Sequence, residues 1–215
     1  MTSSVVRPFR GVSAEDRLLQ RRTDLLEAGY DEVGANGVAK LTMTAVCERA
    51  GLTQRYFYEH FRSRDDLLAA LFDNVFDEFF ERTQAAVEAE APDLFKRARA
   101  TMTVFVDFFS SDPRKARMFG EAIGTEAVAG RKAASVRTIA EYAALQANTI
   151  HGPFTKREQS RVMLAALIIV GGQADVAAQW ITGNIDLPRE EFIDEVAQLF
   201  VVAVDAARNV GPRET

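Results

Sequence analysis

Side chains suited to reading DNA bases are concentrated in one short part of the chain, just after Gly51. Thr53 is followed directly by Gln54 and Arg55. Because threonine favours the N-cap of a helix, the pattern predicts a helix whose first turn carries Gln54 and Arg55. Arginine can pair bidentately with guanine and glutamine with adenine in the major groove. The segment therefore predicts base-specific contacts with double-stranded DNA.

Hydroxyl, aromatic and basic residues on either side of this segment are suited to the DNA backbone. Thr42 and Thr44 lie at the start of the preceding helix, where hydroxyl and backbone N–H groups can bind phosphate. Tyr56 can contact a thymine methyl group or a phosphate. Arg64 lies near the start of the following helix and is also expected to meet the backbone.

The charge distribution agrees with a DNA-contacting N-terminal part. The whole chain of 215 residues has a net charge of −5, which by itself argues weakly against nucleic acid. Residues 1–64, however, contain 10 Lys and Arg against 8 Asp and Glu, a net charge of +2. Local charge is what governs phosphate binding. Arg7 and Arg10 are predicted to form a basic arm that enters the minor groove.

Two short helices joined at Gly51 are predicted to position these residues. The first begins after Thr42, and the second begins after Thr53 and ends near Phe61. Glycine suits the turn between them because it adopts positive φ without a Cβ clash. This arrangement is a helix-turn-helix pattern. The apolar positions that pack the pair are Val46, Ala50, Leu52, Phe57 and Phe61.

Helical signals continue along the rest of the chain. Residues 13–16 and 155–158 both have the capping-box pattern, an acid three residues after a hydroxyl. Ser63 is followed by two aspartates in a first helical turn, where the helix dipole favours them. No alternating Val/Ile/Thr stretch bounded by turn residues occurs. The sequence predicts an all-α protein with about nine helices.

The N-terminal segment resembles the DNA-binding domain of the TetR family of bacterial transcriptional regulators. Its landmarks, in order, are Gly37, Thr42, the Tyr-x-x-Phe pattern of residues 58–61, and the helix start at residues 63–67. The match covers about residues 13–72, a third of the chain.

The resemblance implies further contacts and also shows departures. Tyr58 and His60 stand at positions that contact phosphates in the family, and Arg64 replaces the usual lysine. Cys47 replaces a small alanine, which keeps the helix crossing because cysteine is small and apolar. Arg55 and Phe57 replace the commoner glycine and leucine, so the bases that are read should differ. The complete predicted DNA-binding set is Thr42, Thr44, Thr53, Gln54, Arg55, Tyr56, Tyr58, His60 and Arg64.

The larger C-terminal part is rich in phenylalanine, with nine between residues 72 and 119. The resemblance implies an effector pocket there, and such a pocket would favour an apolar or aromatic small molecule. An ordinary aromatic core is the other interpretation. Glu121 and Gln179 are further candidates for polar anchors. The predicted ligand-binding residues are Phe76, Phe105, Phe109, Phe119, Tyr142 and Asp175.

The last two predicted helices have extensive apolar faces. In the TetR family these helices form a homodimer through a four-helix bundle, which places two recognition helices on successive half-sites. Trp180 is assigned either to this interface or to the pocket wall. The predicted dimerisation residues are Leu164, Ile168, Gly172, Trp180, Val196, Phe200 and Val204.

Several classes of function are not predicted. We find no GxSxG, P-loop, GxGxxG, HExxH or CxxC motif, so the sequence predicts no enzyme, no catalytic residue and no cofactor. The single cysteine, Cys47, excludes an intrachain disulfide framework and a Cys-rich metal site. The longest apolar run, residues 162–172, is about half the length of a membrane span, and a cytoplasmic protein is expected.

These observations predict a homodimeric, ligand-responsive repressor that binds a palindromic operator. The DNA-binding domain is assigned to residues 1–64 and the effector-binding and dimerisation domain to residues 65–215. A constitutive or architectural DNA-binding protein without an effector is the alternative, and it predicts a filled core with no cavity.

Overall fold

Helix-capping residues set the limits of most elements in the computed structural model, which describes residues 13–181 and 183–209. These residues form nine α-helices and one 3-10 turn, and no strand occurs among them. The all-α prediction and the predicted helix number are therefore confirmed. Arg7 and Arg10 lie outside the described residues. The helices are α1 Ala14–Asn36, α2 Met43–Ala50, α3 Gln54–Tyr58, α4 Arg64–Ala89, α5 Leu94–Ser111, α6 Pro113–Ala122, α7 Glu126–His151, α8 Lys156–Ile181 and α9 Arg189–Asn209.

Both predicted capping boxes are present. The Ser13 hydroxyl accepts the backbone N–H of Asp16 at 2.9 Å, and the Asp16 carboxylate accepts the Ser13 N–H in return. Thr155 and Glu158 make the equivalent reciprocal bonds at the start of α8. Side-chain caps therefore satisfy N–H groups that the first turn of each helix leaves without a partner.

The chain divides into two compact units whose limits differ from the predicted domains. The first unit extends to Val75 and also includes Pro113–Ala129, so it contains α6. The second unit comprises Phe76–Asp112 and the chain from Gly130 onward. Two of the three boundaries fall inside a helix, in α4 and in α7, and the third lies between α5 and α6. The assignment of functions to residues 1–64 and 65–215 stays a prediction.

Each unit has its own apolar core. In the first unit the aromatic rings of Tyr30, Phe57, Phe61 and Phe72 are almost completely buried. In the second unit, apolar side chains from α5, α7, α8 and α9 pack around one cluster. That cluster consists of Leu94, Ala140, Ala147, Phe154, Val162, Ala166, Phe200, Val204 and Ala207.

Helix α8 is unusually apolar and unusually exposed. By length and composition alone it could cross a membrane, and 17% of its most apolar stretch is buried within the protein. Among the described helices it is the one that passes this test.

Candidate nucleic-acid interface

The turn between α2 and α3 has the geometry that its sequence requires. Gly51 adopts the left-handed conformation, with φ of 64°, and ends α2. The backbone N–H of Leu52 then bonds to the Cys47 carbonyl at 2.9 Å. On α3, Phe57 is fully buried, and its ring lies 5.5 Å from that of Phe61. These two anchors fix one side of α3 and leave the other side exposed.

The exposed side of α3 carries the predicted base-reading residues. Thr53, Gln54 and Arg55 are all exposed, and 86% of the Arg55 side chain is accessible. Tyr58 is 58% exposed and lies edge-on to the Phe57 ring. The helix therefore presents an exposed amide and an exposed guanidinium to any molecule that approaches it.

Threonines occupy the N-caps of both α2 and α3, as expected from the sequence, but only one of them caps with its side chain. Thr53 occupies the N-cap of α3, but its side chain makes no capping hydrogen bond. Thr42 does cap α2, since its hydroxyl accepts the Ala45 N–H at 3.2 Å. Helix α3 has five residues. It begins with the backbone hydrogen bonds that Tyr56 and Phe57 donate to the Thr53 carbonyl. Thr44 is exposed in the first turn of α2.

Arg21 and Glu59, which were not among the predicted site residues, lie at α3, the recognition helix that carries the predicted base-reading residues. The Arg21 guanidinium lies over the Tyr56 ring, 3.9 Å from its centroid, and Arg21 Nη1 is 3.2 Å from Glu59 Oε2. The other carboxylate oxygen of Glu59 lies 3.7 Å from Arg55 Nε. Arg21 is on α1, 38 residues before Glu59. No local pattern in the sequence could have revealed this contact.

His60 is half-buried, and its phosphate contact stays a prediction. Its Nε2 is buried and has no hydrogen-bond partner among the described residues. Burial lowers the pKa of His60, and the nearby positive charges of Arg22 and Arg21 lower it further, against the opposing effect of Glu59. The imidazole is therefore biased toward its neutral form.

Arg64 binds acceptors within the protein. Its Nη2 and Nε donate to the carbonyl oxygens of Val38 and Leu41 at 2.6 and 2.9 Å, and Nη1 pairs with Asp65 at 2.9 Å. These bonds hold the 3-10 turn Val38–Lys40, which leads into α2. The structure therefore gives Arg64 a positioning role that the sequence analysis did not anticipate, and its phosphate contact stays a prediction.

The same turn is held from α6. The Val38 N–H donates to Glu121 Oε2 at 2.7 Å, while Arg117 Nε donates to Glu121 Oε1 at 2.6 Å. Arg117 Nη1 also donates to the Gly34 carbonyl at 3.0 Å. Gly37 has a φ of 85°, a backbone conformation that favours glycine, and a Cβ there would come within 2.9 Å of the side-chain ends of Arg117 and Glu121. Glu121 is thus engaged at this turn rather than serving as an anchor for an effector.

The predicted ligand-binding residues do not lie together. Phe119 belongs to the first unit and stacks on Phe72, with centroids 5.3 Å apart. Phe105 and Phe109 pack with each other, and Asp175 is exposed on α8. Phe76 stacks on Phe80 at 5.7 Å. Tyr142 is the one member of the predicted set that lines a described cavity of the second unit.

Three small cavities lie in a row within the second unit. The first, about 60 Å³, is lined by residues that include Ala98 and Gln173. Ala98 also borders a cavity of about 30 Å³ lined by Arg97 and Tyr142, whose hydroxyl is buried without a hydrogen bond among the described residues. Gln173 borders the third, of about 170 Å³, which is also lined by Ile168, Val176 and Leu199 on the exposed face of α8 and α9. The row is largely apolar, with polar groups at the Tyr142 end.

The predicted dimerisation residues fall into three groups. Leu164 and Ile168 are 59% and 66% exposed on α8. Phe200 and Val204 lie in the core cluster of the second unit and face inward, so they are not available to a partner and their assignment to the dimer interface is wrong. Gly172, Trp180 and Val196 are half-buried.

These half-buried residues have specific surroundings. Trp180 stacks on Phe192 with centroids 4.7 Å apart and donates its indole N–H to the Leu187 carbonyl at 2.8 Å. Gly172 and Val196 line the third cavity.

Among the described residues, no group of three or more His, Cys, Asp or Glu side chains is placed to hold a metal ion.

Comparison with known proteins agrees with this geometry. Residues 25–71 match the family model described as bacterial regulatory proteins of the tetR family. The chain is 23% identical over 194 residues to the HTH-type transcriptional activator FasR of Mycolicibacterium smegmatis, covering 89% of this chain and 87% of that protein.

Solved structures share the fold. A TetR-like transcriptional regulator from Rhodococcus is 20% identical, with a TM-score of 0.64, and the match covers 86% of this chain and 96% of that one. The transcriptional regulator FadR of Bacillus subtilis, in complex with stearoyl-CoA, is 14% identical with a TM-score of 0.69. The match to FadR covers 84% of this chain and 98% of that chain.

Proposed function

Because this chain is a transcriptional regulator of the TetR family, we propose that it is a ligand-responsive repressor that binds a palindromic operator as a homodimer. The observation that carries the proposal is the exposed side of α3. Gln54 and Arg55 project from a helix that is fixed from behind by Phe57 and Phe61. A rigidly anchored helix with an exposed amide and guanidinium is suited to major-groove readout.

The second component of the proposal is the homodimer. The exposed apolar side chains of α8 and α9 supply a surface that a second copy would cover. Those side chains are Leu164, Ile168, Val176, Ile181, Leu199 and Val202. We assign the exposed apolar face of α8 to this partner rather than to lipid. Dimerisation would also place two copies of α3 on half-sites about 34–36 Å apart, or a multiple of that.

The third component is the effector. The row of apolar cavities in the second unit supports a small, elongated and largely apolar molecule over the alternative of a constitutive protein with a filled core. Polar groups at one end, Arg97, Tyr142 and Gln146, suit a hydrogen-bonding head group. An acyl-CoA is the first probe to test, since FadR of Bacillus subtilis binds stearoyl-CoA in its solved structure.

Selection of random double-stranded DNA on the purified protein tests the DNA-binding part. We expect a palindrome, recovered by a protein whose solution mass is that of a dimer. Arg55→Ala should then abolish preference at one position of each half-site, a loss of about 1–3 kcal/mol. Arg62→Ala removes an exposed arginine outside α3 and should leave base preference unchanged. Recovery of no motif by the wild-type protein would overturn sequence-specific regulation.

Titration of acyl-CoA chains of increasing length, with and without operator DNA, tests the effector part. The coupling must be reciprocal, so operator should weaken acyl-CoA binding as much as acyl-CoA weakens operator binding. Ala143→Phe fills two of the cavities, whereas Ala133→Phe adds the same volume at an exposed site on the same helix. Loss of response in the first variant alone is expected. Equal responses in both would exclude these cavities.

An activator is the second candidate, and the similarity to FasR favours it. Transcription in vitro from a promoter that contains the selected operator separates the two. A repressor lowers transcript yield when it binds, while an activator raises it.

A further inference from the structure

Glu59 connects a fixed arginine with an exposed one at the recognition helix. It lies one turn after Arg55, and its Oε1 is 3.7 Å from Arg55 Nε. Its Oε2 is 3.2 Å from Nη1 of Arg21, whose guanidinium is itself stacked on Tyr56. Arg21 is held on both sides, by the aromatic ring and by the carboxylate. Glu59 therefore has a defined position from which it can restrict Arg55.

Stability does not explain this arrangement. Arg55 is 86% exposed, and an ion pair in water at that exposure contributes little to folding. The pair gains strength where water is excluded, as it is when a recognition helix enters a groove. Contact with Glu59 occurs at the Nε side of the guanidinium. The terminal nitrogens of Arg55 then stay available for the bidentate pairing that guanine accepts.

The carboxylate also has an effect that does not depend on Arg55. A negative charge beside the DNA-contacting surface repels phosphates, so it lowers affinity for all sequences alike. Specificity is a difference of affinities, and it increases when unspecific binding is weakened while a correct contact is oriented. The charge lowers both affinities by the same factor, so the ratio of specific to unspecific binding increases only through the orientation of Arg55.

We propose that Glu59, held by Arg21, is a specificity-determining residue that orients Arg55 for base readout and weakens unspecific DNA binding. This inference rests on the proposed sequence-specific DNA binding. Glu59 is a positioning residue, since it acts on the base through Arg55.

Glu59→Gln is the variant that tests the proposal, because it keeps the side-chain shape and removes the charge. Glu48→Gln is the matched control, because it removes the charge of an exposed carboxylate on α2 by the same change. Each variant is titrated with two kinds of DNA. The first is a set of operator fragments in which each base is substituted at the position that Arg55 reads, and the second is an unrelated duplex. For Glu59→Gln we expect tighter binding to the unrelated duplex and a loss of at least about fivefold in discrimination at the Arg55 position. For Glu48→Gln we expect unchanged discrimination at that position.

A double variant tests whether Glu59 acts through Arg55. In an Arg55→Ala protein, the further change Glu59→Gln should leave base preference as it is. A further loss at a cytosine would mean that Glu59 reads a base directly, and this would overturn the proposed role. Arg21→Gln, which frees Glu59 without changing it, should reduce discrimination in the same direction as Glu59→Gln.

Failure of this inference can be distinguished from failure of the proposed function. If the wild-type protein selects no motif, sequence-specific binding itself is wrong. If the wild-type protein selects a motif and Glu59→Gln discriminates equally well, only the role of Glu59 is overturned. Loss of binding to every duplex by Glu59→Gln would also contradict the proposal, because removal of a carboxylate should strengthen unspecific binding.

Discussion

The backbone N–H of Val38 donates to the Glu121 carboxylate at 2.7 Å, although 83 residues separate the two in the chain. The carbonyl of the same residue accepts from Arg64 at 2.6 Å. Both backbone polar groups of one buried residue are therefore held by side chains, one from α6 and one from α4. This turn leads directly to Thr42, the cap of α2, so the two side chains position the start of the helix-turn-helix.

Glu121→Ala should destabilise the first unit by about 1–3 kcal/mol, because the Val38 N–H loses its partner. The hydrogen bond from Arg117 and that from Val38 lower the pKa of Glu121 below its ordinary value of 4.5. The carboxylate consequently contributes stability above pH 4.5, and this contribution is lost as the pH falls through the lowered pKa. Denaturant unfolding of wild type and variant at several pH values measures this contribution to the free energy of unfolding. A gap between wild type and variant that widens in acid would contradict the assignment, and Glu48→Ala is the control.

His60→Gln should reduce the acid sensitivity of the protein. Burial and the charges of Arg22 and Arg21 lower the pKa of His60 from its ordinary value of 6.5. The unfolded state therefore binds the proton more readily, so stability is complete above pH 6.5 and decreases as the pH falls toward the lowered pKa. Thermal unfolding of the wild type and of His60→Gln is compared between pH 7.5 and 5.5, a range that brackets the ordinary histidine pKa of about 6.5. A wild-type curve as flat as that of the variant in this range would overturn the prediction.

Arg64→Ala separates a structural role from a phosphate contact. Loss of the bonds to Val38 and Leu41 should lower stability by about 1–3 kcal/mol. If Arg64 only positions the turn, the slope of log affinity against log salt should stay the same. Loss of a phosphate contact would reduce that slope by about 0.9. Operator titrations at several salt concentrations measure the slope, with Arg62→Ala for comparison.

Phe200 and Ile168 should respond differently to substitution. Phe200→Ala removes a ring from the core cluster of the second unit and should cost about 3–5 kcal/mol of stability. Ile168→Asp changes a side chain that is 66% exposed, so it should dissociate the proposed dimer and leave the monomer folded. For both variants, analytical ultracentrifugation measures whether the dimer dissociates, and denaturant unfolding measures the free energy of unfolding. Dimers that persist in Ile168→Asp would exclude this face of α8.

The helices and the helix-turn-helix could be predicted from the sequence because their signals are local. The Ser13 and Thr155 capping boxes, the Thr42 cap and the left-handed Gly51 each depend on residues no more than a few positions apart. The exposed position of Arg55 and the burial of Phe57 follow in the same way from helical periodicity, which places neighbouring residues on different faces.

Only the tertiary structure decided which side chains meet across the chain. Arg21 reaches Glu59, Arg64 reaches Val38, and α6 packs in the first unit beside α1, where Glu121 binds a peptide N–H. Ion pairs and hydrogen bonds between distant residues have no sequence period, because they depend on how helices cross rather than on spacing. Val204, which faces inward, was wrongly assigned to the dimer interface for the same reason. A stripe of apolar residues shows that a helix face is covered, but it does not show whether the same chain or a partner covers it.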